Sequence, residues 1–257
     1  MGNKSVLQTI LLFFSKVLNY IWRLWFILLA FLFILIFILP VLLLSIREKD
    51  FKYAYVFIRC WCLIVFYGMG FRYELIRKTQ QKIDKKRHYI FISNHTSIID
   101  ILLMVVLHPN HPICFIGKAE LAKIPIFGII YKRICILVDR KDPRSRADVY
   151  RKAKVKMDHG QNIVIFPEGG VPDDVNVVLD IFKDGAFILS TRHHFPIVVY
   201  TFIGLKEMFP FRLDSGHPGK IKAIKNLILE PVEKADTLKS ISHNEIKKTL
   251  LAEKGVE

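Results

Sequence analysis

The residues in this chain best suited to chemistry by type and spacing are His95 and Asp100, in Ser93-Asn94-His95-Thr96-Ser97-Ile98-Ile99-Asp100. The histidine follows an apolar run, 88–92, that reads as a buried strand, and precedes 98–107, which reads as a helix. Within one continuous helix, residues five apart lie roughly 140° apart around the axis and cannot touch. A histidine in the loop before the helix is different, because a carboxylate in the first turn can reach back to it. Asp100 could then accept a hydrogen bond from one ring nitrogen and hold the tautomer, leaving the other nitrogen to take a proton from a substrate hydroxyl. An unperturbed imidazole titrates near ~6.5, so it can act as an unprotonated base at neutral pH. The same spacing also fits a simpler arrangement, a Ser97-x-x-Asp100 capping box that satisfies amides at the helix start.

Two further stretches hold groups that could bind an anion or a polyol. Lys118 and Arg140 each follow a strand-like run. A guanidinium at a strand end can bind a phosphate monoester through two parallel hydrogen bonds. Arg140 also opens a basic zone with Lys141, Arg144, Arg146, Arg151, Lys152, Lys154 and Lys156, most of which reads as a solvated helix face able to meet anionic headgroups. In Ile163-Val164-Ile165-Phe166-Pro167-Glu168-Gly169-Gly170, a buried strand ends and then presents a carboxylate and two glycines. Glycine lets backbone turn tightly and approach a ligand, and Glu168 could accept hydrogen bonds from polyol hydroxyls. By itself, that motif is a turn.

These residues need strand ends to hold them. Strand-like runs occur at 88–92, 113–116, 134–138, 163–166 and 196–202, with helix-like segments at 98–107, 119–131, 145–159 and 182–191. The alternation predicts an α/β domain with a mixed sheet flanked by helices, a fold in which ligands gather at strand ends. The tail reads as a strand over 221–232, then a capping box at Ser242-x-x-Glu245 opening a helix through Ala252.

Ahead of this domain, 24–46 contains no charged residue and is rich in Leu, Ile and Phe. A bilayer span needs about 20 apolar residues, so the run is long enough. A second apolar stretch, 54–71, is interrupted by Arg59. The two predict either a single-pass helix or a hairpin bent near Pro40, and Lys and Arg are balanced across the first run, so the positive-inside rule does not choose. The chain therefore divides at residue 71 into an N-terminal membrane-anchoring segment, 1–71, and a catalytic unit, 72–257. The composition agrees: 52% of residues are hydrophobic, and the net charge of +15 calls for an anionic partner such as a membrane surface. The basic zone lacks interleaved aromatics and no nucleic-acid motif is present, which leaves nucleic acid a remote alternative. Cys60, Cys62, Cys114 and Cys135 show no zinc spacing and read as buried free thiols of a reducing compartment.

Taken in order, Asn94-His95-x-x-x-x-Asp100, Lys118-x-x-Leu121-x-x-x-Pro125-x-x-Gly128 with Asp139-Arg140, and Phe166-Pro167-Glu168-Gly169 resemble the motifs of the glycerolipid acyltransferase family. Its best-known members are the 1-acyl-glycerol-3-phosphate acyltransferases. Phe182-Lys183-x-Gly185-Ala186-Phe187 and Pro196-Ile197-Val198 continue the likeness, which spans 86–201. The resemblance implies a membrane-bound enzyme of phospholipid biosynthesis on the cytoplasmic face. It would move a fatty acyl group from acyl-CoA or acyl carrier protein to a lysophospholipid, foremost 1-acyl-glycerol-3-phosphate. It implies His95 as general base, Asp100 as its orienter, and substrate contacts from Asn94, Glu168 and Gly169, with Lys118, Arg140 and Lys183 at the phosphate. No metal or bound cofactor is expected; the thioester is a co-substrate.

One departure stands out. Where the family commonly has Thr-Arg after Glu-Gly, an arginine linked to phosphate, this chain has Gly170-Val171-Pro172-Asp173-Asp174. A lysolipid with another headgroup, such as an amino-acid lipid, or glycerol 3-phosphate is therefore an alternative acceptor.

Overall fold

The apolar N-terminal run forms one helix, α1 (Gly2–Leu44), which continues through Pro40. A computed structural model describes residues 2–172, 177–253 and 255, so Asp173 and Asp174 lie outside the described residues. After a 3-10 turn, Glu48–Asp50, the chain reverses into α2 (Phe51–Gly68). The pair is an antiparallel hairpin. All three tryptophans tie it: Trp22 donates to the Met69 carbonyl at 3.3 Å, Trp25 to Gly68 at 3.0 Å and Trp61 to Ala30 at 3.0 Å. Both Gln8–Leu44 and Glu48–Gly68 are long and apolar enough to cross a membrane. On α1 the outward residues are apolar almost throughout, from Ile10 to Leu43, which suits lipid rather than water.

Seven strands form one mixed sheet. They are β1 (Arg72–Arg77), β2 (Ile90–Ile92), β3 (Ile113–Lys118), β4 (Ile136–Val138), β5 (Asn162–Ile165), β6 (Ile197–Ile203) and β7 (Lys220–Leu229), in the order β1-β7-β6-β2-β5-β3-β4. The run β6-β2-β5-β3-β4 is parallel; β7 is antiparallel to β6, and β1 is parallel to β7. Side chains alternate across this sheet. Phe91, Val164, Val198, Tyr200 and Phe202 face α2 and α3 (Ile99–Leu107). Ile90, Ile92, Ile163, Ile197 and Val199 face α5 (Pro143–Asp158), α6 (Gly185–His193) and α8 (Ala235–Glu253), with the one-turn α7 (Leu205–Met208) between the last two in the chain. The first of these cores also takes in Phe51, Tyr55, Cys62, Val65 and Phe66 of α2, so packing is continuous across residue 71.

Several boundaries differ from expectation, each for a local reason. The helix expected over 119–131 is a 3-10 turn, Ala119–Lys123, followed by α4 (Phe127–Ile134). Pro125 breaks it, since proline has no N–H to donate and pushes the preceding residue out of the helical region; Ile124 is extended, with φ −68° and ψ 125°. Helix α5 begins two residues early because Asp142 caps it, accepting from the Arg144 N–H at 2.9 Å, with Pro143 in the first turn. Ser242 opens no helix: it is buried inside α8. Strand β1 was not anticipated, because its alternation is of charged residues at a sheet edge. Cys60 is exposed, whereas Cys62, Cys114 and Cys135 are buried, and burial pushes the Cys114 thiol up to about 12. Lys156 of the basic zone is buried, paired with Glu48 at 3.0 Å.

Candidate active site

Strand β2 carries three buried residues to the middle of the sheet and stops; His95 lies in the loop beyond its C-terminal end. Asp100, in the first turn of α3, is fully buried. Its Oδ2 accepts from His95 Nδ1 at 3.0 Å, from the Thr96 N–H at 2.6 Å and from the Ser97 N–H at 2.8 Å. One carboxylate thus organises the turn and orients the imidazole, joining the two arrangements the spacing allowed. The ring stacks on Phe166 at 4.1 Å and 14°. With Nδ1 turned to a carboxylate, it is the N–H nitrogen, and Nε2, which has no partner among the described residues, is the free base. A hydroxyl placed at Nε2 could lose its proton there.

Neighbouring strands brace this loop. The Asn94 side chain donates to the Phe202 carbonyl at 2.9 Å and accepts from the Phe202 N–H at 2.8 Å, clamping the end of β2 to β6. Asn94 is buried and its amide is spent on backbone, which is a positioning contact rather than a group offered to substrate. Glu168, beyond β5, is also committed: Oε1 accepts from the His95 N–H at 2.7 Å and Oε2 from the Asp180 N–H at 2.9 Å. Burial raises its pKa above the ordinary carboxylate value, while those two amides pull it back. Glu168 therefore holds the backbone of the histidine.

Ser97 reaches the other way, donating from Oγ to the Phe209 carbonyl at 2.8 Å. The Phe209 ring lies under Arg23 of α1, 3.7 Å from guanidinium carbon to ring centroid. Arg23 Nη2 donates to the carbonyls of Pro210, Arg212 and Ser215 at 2.7, 3.0 and 2.9 Å. In the sequence Arg23 is simply a charge at the edge of the apolar run 24–46. Phe166 was not anticipated as a stacking partner; the signal available there was an aromatic closing the strand beside the glutamate.

The cations gather at Gly169. This residue has φ +79°, a conformation suited to glycine, and an added Cβ would fall 2.5 Å from Lys183 Nζ. Arg140, beyond β4, donates through Nη1 to the Gly169 carbonyl. Lys183 is anchored by its N–H to the Pro167 carbonyl at 2.8 Å. Lys118 ends β3 at the same edge, exposed, with no ion pair among the described residues. Exposed apolar side chains ring this edge, among them Ile98, Leu121, Ile124, Ile181, Phe211 and Leu213. Among the described residues, no three His, Cys, Asp or Glu side chains cluster as a metal would require.

A mixed sheet with a His–Asp pair, a buried glutamate and cations along one edge defines the class: residues 75–202 are an acyltransferase-family domain and match the family model of that description. Its particular relatives are lipid acyltransferases. A 1-acyl-sn-glycerol-3-phosphate acyltransferase of Helicobacter pylori is 32% identical over 47% of this chain and 50% of its own length. A lyso-ornithine lipid O-acyltransferase of Rhizobium meliloti is 30% identical over 39% of this chain and 33% of its own. The chain spans about half the length of the first curated relatives it matches. The crystal structure of the 1-acyl-sn-glycerophosphate acyltransferase of Thermotoga maritima shares the fold, with a TM-score of 0.74 over 93% of this chain and 98% of that one, at 22% identity.

Proposed function

We propose that this protein transfers a fatty acyl group from a thioester, acyl-CoA or acyl carrier protein, to the free hydroxyl of a lysophospholipid. The observation that carries the reading is the Asp100–His95 pair with Nε2 open at the sheet edge. Nε2 takes the hydroxyl proton as the oxygen attacks the thioester carbonyl. The tetrahedral intermediate collapses, the C–S bond breaks, and the imidazolium returns its proton to the leaving thiolate. No acyl-enzyme, metal or bound cofactor is needed. The preferred acceptor is 1-acyl-glycerol-3-phosphate, its phosphate met by Arg140 and Lys183 at Gly169 and by Lys118 beside them.

A second acceptor has its own support. Gly170 and Val171 stand where the resemblance expects Thr-Arg, and one relative is named for lyso-ornithine lipid. The apolar rim and α1 support a membrane setting in which the hairpin anchors the domain with its catalytic edge at the lipid surface, on the cytoplasmic face.

The test is an assay of purified protein with labelled acyl-CoA or acyl carrier protein against lysophosphatidate, lyso-ornithine lipid and glycerol 3-phosphate. Lysophosphatidate should be used best, and His95→Ala should abolish transfer. Arg140→Ala should weaken lysophosphatidate use by roughly 10- to 150-fold, the cost of one charged hydrogen-bonding partner. Turnover surviving His95→Ala would overturn the mechanism; preference for lyso-ornithine lipid would replace the acceptor.

A further inference from the structure

The C-terminal edge of the sheet accounts for His95, Glu168, Lys118 and Arg140, but the opposite edge holds a cluster the reaction does not use. A cavity of about 490 Å³ opens there, between α2 and the loops that enter β2, β3 and β5. Its lining includes Lys52 and Arg59 from α2, Lys85 and His88 from the loop before β2, and His111 from the loop before β3. No Asp or Glu lines it. With strands advancing ~3.3 Å per residue, it lies roughly 15–20 Å from His95, too far to be part of that site.

The cations of this cavity have no direct carboxylate partner among the described residues, although Lys52 Nζ lies 5.0 Å from the Tyr53 ring centroid. Lys52, Arg59 and Lys85 make no ion pair among the described residues, whereas thirteen such pairs form elsewhere. Of the carboxylates nearby, Glu48 is held by Lys156 and Gln161 and Asp158 by Lys154, while Asp84 accepts from the Lys86 N–H; Asp84 and Asp158 are close enough to act on His111 and His88 without lining the cavity. Arg59 has one weak contact, Nη2 to the Val106 carbonyl at 3.4 Å, and its Nε is buried without a partner. An unpaired guanidinium donor, buried in the side of an apolar helix, is costly unless something binds it. Burial holds His88 and His111 below the ordinary imidazole value; His111 Nε2 is turned to the Asp84 carbonyl at 3.2 Å, which leaves His88 as the imidazole open to a ligand.

We propose that this cavity binds a phosphate-bearing anion, seated on Arg59, Lys52 and Lys85. Arg59 offers the planar fork that matches two phosphate oxygens, and the two ammonium groups supply the remaining charge. The cavity volume falls in the range of small-ligand sites. The exposed Val56 on the same stretch of α2 would let the acyl part of a lipid lie along the helix, so an anionic phospholipid headgroup and free phosphate are both chemically suited. The site stands independently of the acyl-transfer reading, because it shares no residue with that centre.

Cys60 provides a local reporter: it lines the cavity and is exposed, while the other three thiols are buried. The full-length protein in detergent micelles would be alkylated with N-ethylmaleimide alone and with inorganic phosphate, dihexanoyl phosphatidate or dihexanoylglycerol. At twice its dissociation constant, a bound probe should slow Cys60 alkylation about threefold. Slowing by phosphate and phosphatidate identifies a general anion site, and slowing by phosphatidate alone a lipid-headgroup site; either supports the proposal. Lys85→Glu, on an exposed loop, and Arg59→Gln should weaken protection roughly tenfold or more in concentration, while Arg140→Ala leaves it intact. Equal protection by dihexanoylglycerol, no protection by either phosphate probe, or protection unchanged in Lys85→Glu would overturn it. If the thiol reacts too slowly to follow, calorimetric titration of the same probes into wild type and Lys85→Glu makes the same discrimination.

Discussion

At Asp100, a single carboxylate oxygen collects the His95 imidazole and two backbone amides. Asparagine there would keep the volume and lose both the charge and the certainty of which imidazole nitrogen carries the proton. Asp100→Asn should therefore lower kcat by about 10²–10⁴-fold, less than His95→Ala, with melting temperature shifted far less than activity. A loss confined to stability would reduce Asp100 to a turn-former. Glu168 allows a different test, because both its oxygens accept from N–H groups. Glutamine can accept through only one of its terminal atoms, so Glu168→Gln sets a donor against a donor and should cost about 1–3 kcal/mol in chemical denaturation. Its effect on acceptor KM should be small, since Glu168 acts through the His95 backbone; a large KM rise with kcat unchanged would return it to the acceptor glycerol.

Among the elements, α1 is both apolar enough to cross a membrane and packed onto the segment that steadies the His95 turn. Arg23 gathers three carbonyls of the 210–215 loop, its guanidinium covers Phe209, and the Phe209 carbonyl takes the Ser97 hydroxyl. Helix α1 and the His95 turn thus meet on the same 209–215 segment. Removing the guanidinium strands those carbonyls and loosens the loop that steadies Ser97. Arg23→Ala should lower kcat about tenfold, or ~1.4 kcal/mol of barrier, while vesicle flotation is unchanged. A variant that detaches from vesicles yet turns over normally would show that Arg23 serves attachment alone.

For the molecule as a whole, acid stability should depend on a histidine remote from catalysis. His108 ends α3, buried, with Nδ1 at 2.7 Å from the Met104 carbonyl and Nε2 at 3.2 Å from the Tyr200 hydroxyl. Burial pushes its pKa down from 6.5 to about 3. The unfolded chain binds a proton below about 6.5 that the folded chain refuses, so the stability His108 contributes is complete above 6.5 and is lost as pH falls toward 3. The slope is up to one proton, about 1.4 kcal/mol per pH unit. Melting temperatures between pH 7 and pH 4 should fall less steeply in His108→Gln than in wild type. Parallel curves would place the acid-sensitive group elsewhere.

The local order of residue types determined much of this by itself. Apolar runs alternating with amphipathic ones dictate an α/β sheet, and polar residues at the ends of such runs must collect at strand ends, which makes His95, Asp100, Lys118, Arg140 and Glu168 candidates; their roles came from the order of the three motifs and the family these resemble. The 24–46 run announces a lipid-suited helix because no charge interrupts it. Tertiary structure decided whatever depends on partners distant in sequence. Glu168 and Asn94 look like ligand-binding side chains until Asp180, His95 and Phe202 are seen to occupy them. Residues of α2 look like a membrane anchor until the sheet they cover is in place. Arg23 looks like the edge of an apolar run and Arg59 like an interruption of one, and only folding shows that one meets three carbonyls while the other lines a basic cavity. A charge's role depends on which groups surround it, and the carbonyls that Arg59 and Arg23 meet lie from 47 to 192 positions away.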